Sequence, residues 1–231
     1  MKMTRKKKVF LIMIIMSTIF VSIIYGLSIS KSWENNVELS GKYFDRNYSI
    51  VTGNINNNDF LEPHDISTFK NLYLSSDIVA GISVSDKLKR IKYTECILSQ
   101  VKVLDIFKGK VDTDTIKVFE PCYFDENNMI TVSGYNLMKN GKKYILFLKK
   151  VKCSIYGTKY IYIPTSMLLS KYEYNCKKTT GKAYYAKGNL EELSYNDIKE
   201  SEIYTKDKKV ITFYNKNKKI INNLLEKQRQ G

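Results

Sequence analysis

An uncharged run near the start of the chain constrains its fold more than any other feature of the sequence. Residues 9–29 contain no charged side chain over 21 positions. As a helix this run rises about 31 Å, which matches the ~30 Å hydrocarbon core of a bilayer. The run is preceded by five cationic residues: Lys2, Arg5, Lys6, Lys7 and Lys8. Because the cations precede the run, the positive-inside rule predicts a cytoplasmic N-terminus and an extracytoplasmic body after Ser30.

A cleaved signal peptide is the alternative interpretation of this segment. Ser28-Ile-Ser30 has the small-x-small pattern of a cleavage site. A signal peptide needs an apolar region of only about 7 to 15 residues, however, and residues 9–29 exceed it. The length therefore favours an uncleaved signal anchor, so that residues 1–30 form a basic stub and a transmembrane segment in the cell membrane.

The net charge of +15 is weaker evidence for a nucleic-acid partner than its size suggests. Only four of the 38 basic residues are arginine: Arg5, Arg46, Arg90 and Arg229. Arginine is the side chain that reads phosphate and guanine in a bidentate manner, so its scarcity argues against a dedicated nucleic-acid site. We expect no nucleic acid as partner.

The rest of the chain has the pattern of a mainly β protein. Residues 31–64 are rich in Asn and charge and predict a stalk or irregular extension with one strand near 48–51. Asp65 is placed to cap a short helix carrying Ile66, Phe69, Leu72 and Tyr73. Short β-branched segments then recur between turn residues, at 78–84, 94–104, 115–119, 144–148 and 153–163. Residues 65–165 are therefore predicted to form a β-barrel or sandwich.

Residues 166–231 predict a helical C-terminal extension. Strands are expected at 181–186 and 210–214, with a short helix at 194–204 between them. Ile220, Ile221, Leu224 and Leu225 then form the apolar stripe of an amphipathic helix. We expect that helix to pack on the barrel, with a partner-binding or membrane-surface role as the alternative.

Three segments together resemble a known extracytoplasmic domain. They are Ser76-Asp-Ile-Val-Ala-Gly81, Val101-Lys-Val-Leu-Asp-Ile-Phe-Lys-Gly109 leading into Ile116-Lys-Val118, and Leu137-Met-Lys-Asn-Gly-Lys-Lys-Tyr-Ile-Leu-Phe-Leu148. This pattern is similar to the netrin-like, tissue-inhibitor-of-metalloproteinases-like OB-fold domain of exported bacterial proteins. The resemblance implies a five-stranded Greek-key barrel and no particular activity. The animal inhibitors use a Cys at the mature N-terminus, whereas the first Cys here is Cys96.

The sequence offers few residues for catalysis. Its single histidine, His64, lies in a polar segment before the predicted barrel and is interpreted as a surface residue. Phosphate-binding loops, nucleophile elbows and zinc-protease motifs are missing from the sequence. We therefore predict no catalytic residue, no cofactor and no metal ligand, and a binding protein rather than an enzyme.

Four cysteines lie on the predicted extracytoplasmic side: Cys96, Cys122, Cys153 and Cys176. Disulfides form in that compartment, and the predicted strands favour pairing of Cys96 with Cys122 and of Cys153 with Cys176. Four buried free thiols are the alternative, because Cys is also a small buried hydrophobe.

Lysine and tyrosine alternate in three late segments and predict a ligand face. Its members are Lys159, Tyr160, Tyr162, Tyr172, Tyr174, Tyr184 and Tyr185. OB-fold faces bind oligonucleotides and oligosaccharides with such side chains, although an ordinary exposed strand face is the alternative. We predict a membrane-tethered module that recognises an envelope protein partner. The alternatives are an enzyme acting on envelope polymers and a basic binder of anionic wall polymer.

Overall fold

The fold is described from a computed structural model of the whole chain. The structure describes residues 37–38, 46–53, 68–93, 95–125, 127–153, 159–175 and 177–230. The strands are β1 (Val37–Glu38), β2 (Ser49–Gly53), β3 (Ile78–Ser83), β4 (Arg90–Tyr93), β5 (Cys96–Lys108), β6 (Thr115–Glu120), β7 (Cys122–Asp125), β8 (Asn128–Val132), β9 (Lys143–Lys152), β10 (Tyr160–Pro164), β11 (Lys171–Tyr174), β12 (Ala183–Tyr185) and β13 (Ile203–Thr205). The helices are α1 (Phe69–Ser75), α2 (Tyr195–Ile198) and α3 (Lys208–Gln230), with a 3₁₀ turn at Leu190–Glu192.

Five strands close into a barrel in the order β5, β3, β9, β10, β6 and back to β5. The β6–β10 pair is parallel and the other four pairs are antiparallel. Numbered along the chain, the ring runs 1-2-3-5-4-1, which is an OB-like arrangement. The prediction of a mainly β chain with a five-stranded barrel and a C-terminal helix is confirmed.

Alternation along each strand decides which side chains fill the barrel. On β9, Tyr144, Leu146 and Leu148 belong to the core inside the barrel. Ile145 and Phe147, between them, belong to a second core on the outer face. This period of two is what a strand buried on both faces requires. The barrel is therefore filled by side chains, and its β3–β9 side needs an outer cover.

Helix α3 supplies most of that cover. Val210, Tyr214, Ile221 and Leu225 are buried against the outer core at spacings of four, seven and four residues, a helical period. The predicted strand at 210–214 is therefore wrong. Its β-branched and aromatic residues favour a strand locally, but packing of one helical face on the barrel overrides that weak preference.

The extension around β11 is part of the barrel wall. Strand β11 pairs antiparallel with β9, beside the end of β10. Tyr172 on β11 stacks on Tyr214 of α3 with ring centroids 5.2 Å apart, and meets Phe147 edge to face at 6.0 Å. The predicted helix at 194–204 is shorter than expected, since α2 ends at Ile198 and residues 203–205 form β13, which pairs with β12.

Helix α1 begins later than the sequence suggests. Thr68, rather than Asp65, caps it by accepting a hydrogen bond from the Asn71 amide at 3.2 Å. Its C-terminal end is held by Lys108, whose ammonium donates to the carbonyls of Tyr73 (2.7 Å), Leu74 (3.1 Å) and Ser76 (2.6 Å). A cation at a helix C-terminus satisfies its free carbonyls and complements the helix dipole. The distal end of β5 thus fixes α1 on the barrel.

A smaller sheet of β2, β8 and β7 packs with its own apolar cluster beside the barrel. Strand β2 corresponds to the one predicted near residues 48–51. Within the described residues, no helix has both the length and the apolar character needed to cross a membrane. Residues 9–29 lie outside the described part of the chain, so the membrane anchor stays a prediction.

Candidate functional site

A buried ionic network closes one end of the barrel. The Arg90 guanidinium donates to Ser99 Oγ at 2.9 Å, to the Met138 carbonyl at 2.8 Å and to Glu120 Oε1 at 2.5 Å. Glu120 also accepts from Ser99 Oγ, from Tyr135 Oη at 3.1 Å and from the Met138 amide at 2.7 Å. Arg90 and Glu120 are 3% and 0% exposed. Their charges are satisfied internally and face no solvent, so the network is structural.

Lys171 and Glu202 extend this polar interior toward α3. Lys171 donates to the Asn136 carbonyl, and its ammonium lies 3.9 Å from the ring centroid of Tyr135. Glu202 accepts from Tyr214 Oη and from the Glu173 amide. Burial lowers the pKa of Lys171 to about 8 and raises the pKa of Glu202 to about 8, because a charge loses its hydration in either case. Both groups are buried, so neither meets a substrate.

The cysteines do not form the predicted first bridge in the structure. Cys96 and Cys122 are buried free thiols, and Cys153 is a partly buried free thiol. Burial raises the pKa of Cys96 to about 12, and it raises that of Cys122 well above its usual value. Because Cys153 is a free thiol, the predicted bridge from Cys153 to Cys176, which lies outside the described residues, is not formed either.

The predicted lysine and tyrosine face is only partly assembled. Tyr162, Tyr172 and Tyr174 are each at most 5% exposed. Tyr162 fills the barrel, while Tyr172 and Tyr174 pack under α3, because alternation directs one side of each strand into a core. Tyr184 and Tyr185, on β12, are half-buried. Those five tyrosines therefore do not form one open face; Lys159 is exposed, and Tyr160 is half-buried like Tyr184 and Tyr185.

Lys159 and Tyr160 line one of two neighbouring surface hollows, which together are here called the lysine trough. It consists of two hollows of about 230 and 300 Å³ that share Lys117. Asp112 and Thr113 also line the first hollow, and Lys89 lines the second. The trough is defined here by Lys89, Gln100, Lys117, Lys159 and Tyr160.

The strand register explains why these residues meet. Gln100 on β5 lies opposite Lys117 on β6, and the Gln100 amide donates to the Lys89 carbonyl at 2.9 Å. Three adjacent chain segments therefore place Lys89, Gln100 and Lys117 in one row, with the two lysine backbones about 10 Å apart. Ile116 and Val118 point into the barrel, so Lys117 points outward.

Tyr160 lies between two cations at the end of the trough. The Lys150 ammonium is 4.1 Å and the Lys159 ammonium 5.4 Å from its ring centroid. Asp112 is the nearby carboxylate, but it is 81% exposed and 4.0 Å from Lys150. An exposed contact of this length contributes little. Partial burial lowers the pKa of Lys117. The trough carries a net positive charge beside an aromatic ring.

A second opening, here called the apolar groove, lies between α1, the distal end of β5 and α3. Its volume is about 590 Å³, and its lining is Phe69, Tyr73, Ile106, Phe107, Leu224 and Lys227. It continues into a crevice over the outer core. No local sequence pattern indicates this groove, although Phe69, Tyr73 and Leu224 are predicted to lie on helical apolar faces.

The described residues contain no group of three or more His, Cys, Asp or Glu side chains that could hold a metal ion. His64 lies outside them. Comparison of the chain with protein-family models, curated proteins and solved structures finds no match.

Proposed function

We propose that this chain is a membrane-tethered extracytoplasmic binding module that recognises an acidic protein partner of the cell envelope through the lysine trough. The observation that supports this proposal best is the row of Lys89, Gln100 and Lys117 on the outer face of the barrel, with Lys159 and Tyr160 in the adjoining hollow. Residues 9–29 would supply the tether, with the N-terminus in the cytoplasm. The OB-like strand order is what a netrin-like domain would have, and we retain that relationship as part of the proposal.

The chemistry of the trough suits carboxylates better than an apolar partner. Lys89 and Lys159 are exposed, and Gln100 and Thr113 offer neutral polar groups beside them. Tyr160 supplies a ring that packs against the stem of a bound side chain. Exposed cations of one sign steer an acidic partner and raise its association rate, an effect that salt screens. Binding should therefore weaken as ionic strength rises.

Site-specific photo-cross-linking in intact membranes tests this function. A photoreactive side chain at Gln100, in the middle of the row, should form an adduct with an envelope protein. The same adduct should be lost when Lys117→Glu and Lys159→Glu are added, because the partner then meets like charge. The matched control places the photoreactive group at Val51, an exposed residue of the smaller sheet. An adduct that survives both charge reversals, or none at all from Gln100, would refute the proposal.

An anionic wall polymer is the second candidate ligand. The two hollows extend across three neighbouring chain segments and share Lys117, which gives the trough the elongated form that a linear polyanion fits. Linear polyphosphate and poly-glutamate serve as probes for the two candidates. Tighter, salt-sensitive binding of polyphosphate that Lys117→Glu abolishes would favour the polymer. An enzyme acting on envelope polymers is less well supported, because Glu120 and Glu202 are buried in the interior.

A further inference from the structure

The exposed large apolar side chains of the described residues are concentrated around one opening. They are Val51, Leu74, Leu104, Ile106 and Leu224, exposed by 37% to 62%. Four of the five belong to α1, the distal half of β5 and α3, the three elements that form the apolar groove. Of these four, Ile106 and Leu224 line the groove itself, and Leu74, the most exposed at 62%, lies on α1 beside it. Single exposed apolar residues need no explanation, but a concentration around one groove marks a contact surface.

The interior of the groove is also apolar. Phe69, Tyr73 and Phe107 line its wall, and the crevice beneath reaches Ile145 and Phe147 of the outer core. Covering such a surface gains about 25 cal/mol for each Å² of apolar area removed from water. The groove therefore favours an apolar occupant over water.

Lysines border this surface. Lys227 lines the groove, and Lys70 lies four residues before Leu74 on the same face of α1, where it is exposed. Lys108 caps α1, and its ammonium lies 5.1 Å from the Tyr73 ring centroid. Protruding leucines with neighbouring lysines and a tyrosine are the composition of a surface that lies in the headgroup region of a bilayer.

We propose that the apolar groove and its exposed leucines rest on the surface of the bilayer that anchors the chain, with Lys70 and Lys227 at anionic headgroups. This inference depends on the tether in the proposed function. Seven residues, 30–36, separate the uncharged run from β1. These seven residues reach at most about 25 Å, so a tethered domain meets its own membrane at high effective concentration. Weak apolar contact is then sufficient to orient the domain.

The groove and the trough use different parts of the barrel. The groove covers the outer core over β3 and β9 and includes the distal end of β5, whereas the trough lies on β4, the first half of β5, β6 and the start of β10. Strand β6 is not a neighbour of β3 or β9 in the barrel order. A domain that rests on lipid through its groove therefore does not cover β6 with that contact.

Tryptophan quenching tests the contact directly, because Trp33 is the one tryptophan of the sequence. The full chain carrying Trp33→Phe and Leu74→Trp is reconstituted in vesicles of zwitterionic and anionic phospholipid, with brominated acyl chains as the quencher. Leu74→Trp should lose most of its emission. The control, Val51→Trp in the same background, replaces the exposed apolar residue of the smaller sheet and should keep its emission.

The outcomes separate the two proposals. If the chain floats with the vesicles but Leu74→Trp is quenched no more than Val51→Trp, the lipid contact is refuted and the tether stands. A protein partner would then be the better occupant of the groove. If the chain does not float with the vesicles, the tether itself is refuted and the lipid contact falls with it. Leu224→Trp repeats the measurement from α3 should Leu74→Trp fail to fold, and its quenching supports the lipid contact on the same criterion.

Discussion

Replacing Glu202 by glutamine should remove a large pH dependence of stability. Burial raises the pKa of Glu202 from 4.5 to about 8 in the folded protein, whereas the unfolded chain keeps the ordinary value. The folded state therefore binds a proton that the unfolded state releases between these two pH values. The stability that this proton contributes is fully present below pH 4.5 and is lost as pH rises through 8. A pKa shift of this size corresponds to a loss of roughly 5 kcal/mol in the free energy of unfolding.

Lys171 also makes the free energy of unfolding depend on pH, but with the opposite sign and in the adjacent, more alkaline range. Burial lowers its pKa from 10.5 to about 8, so its contribution is present above pH 10.5 and is lost as pH falls through 8. The free energy of unfolding should therefore pass through a minimum near pH 8, with Glu202 responsible for the acid side. Glutamine keeps the shape of the side chain, and its oxygen can accept from the Glu173 amide while its NH2 group donates to Tyr214 Oη.

Urea unfolding of the full chain in a nonionic detergent measures this effect. From pH 5 to pH 8 the wild-type free energy of unfolding should fall steeply, and that of Glu202→Gln should stay nearly level. Glu200→Gln is the matched control. Glu200 is exposed, and the hydrogen bond from Lys139 lowers its pKa, so its titration is complete below this range. If Glu202→Gln keeps the wild-type slope, or if wild type itself shows none, the reasoning is refuted.

Three further predictions concern the buried interior. Gly181→Ala should destabilise the fold by about 1 to 3 kcal/mol, because the new methyl group meets the Glu202 carboxylate. Gly188→Ala should be tolerated, since its new methyl group lies 3.8 Å from the nearest atom, Glu192 Oε2. Equal melting temperatures of the two variants would contradict this. Arg90→Met should cost about 3 to 5 kcal/mol in urea unfolding because it leaves Glu120 charged and unpaired. A loss no greater than that of the exposed control Arg46→Met would argue against the ionic network. Alkylation of the native chain should label Cys153 and spare Cys96 and Cys122, as measured by mass spectrometry. A disulfide-linked peptide that joins Cys96 to Cys122 would show that these thiols are not free.

The barrel could be predicted from the sequence because its strands alternate strongly. Residues 115–119 alternate apolar and polar side chains, residues 144–148 form the continuous apolar run of a strand buried on both faces, and both are barrel strands in the structure. Residues 210–214 could not be assigned in the same way, since Val-Ile-Thr-Phe-Tyr favours a strand locally. Their helical conformation depends on the outer core that α3 covers, and that core does not exist until the barrel has closed.

The candidate sites were harder to predict from the sequence than the fold, because their residues meet only in the tertiary structure. Lys159 and Tyr160 were visible as an alternating segment, but their neighbours Lys89 and Lys117 come from distant parts of the chain and meet only through strand register. Arg90 was the one available signal for the buried network, because an arginine within a lysine-rich chain suggests a need for several fixed donors. Glu120 and Glu202 have no local feature that distinguishes them from solvated acids.

Protease treatment of intact cells tests the central claim most directly. If the folded domain is extracytoplasmic and held by a membrane anchor, added protease should digest the domain. A short fragment that ends near residue 30 should then remain in the membrane fraction. Recovery of the undigested chain from the soluble cytoplasm of the same cells would contradict the account.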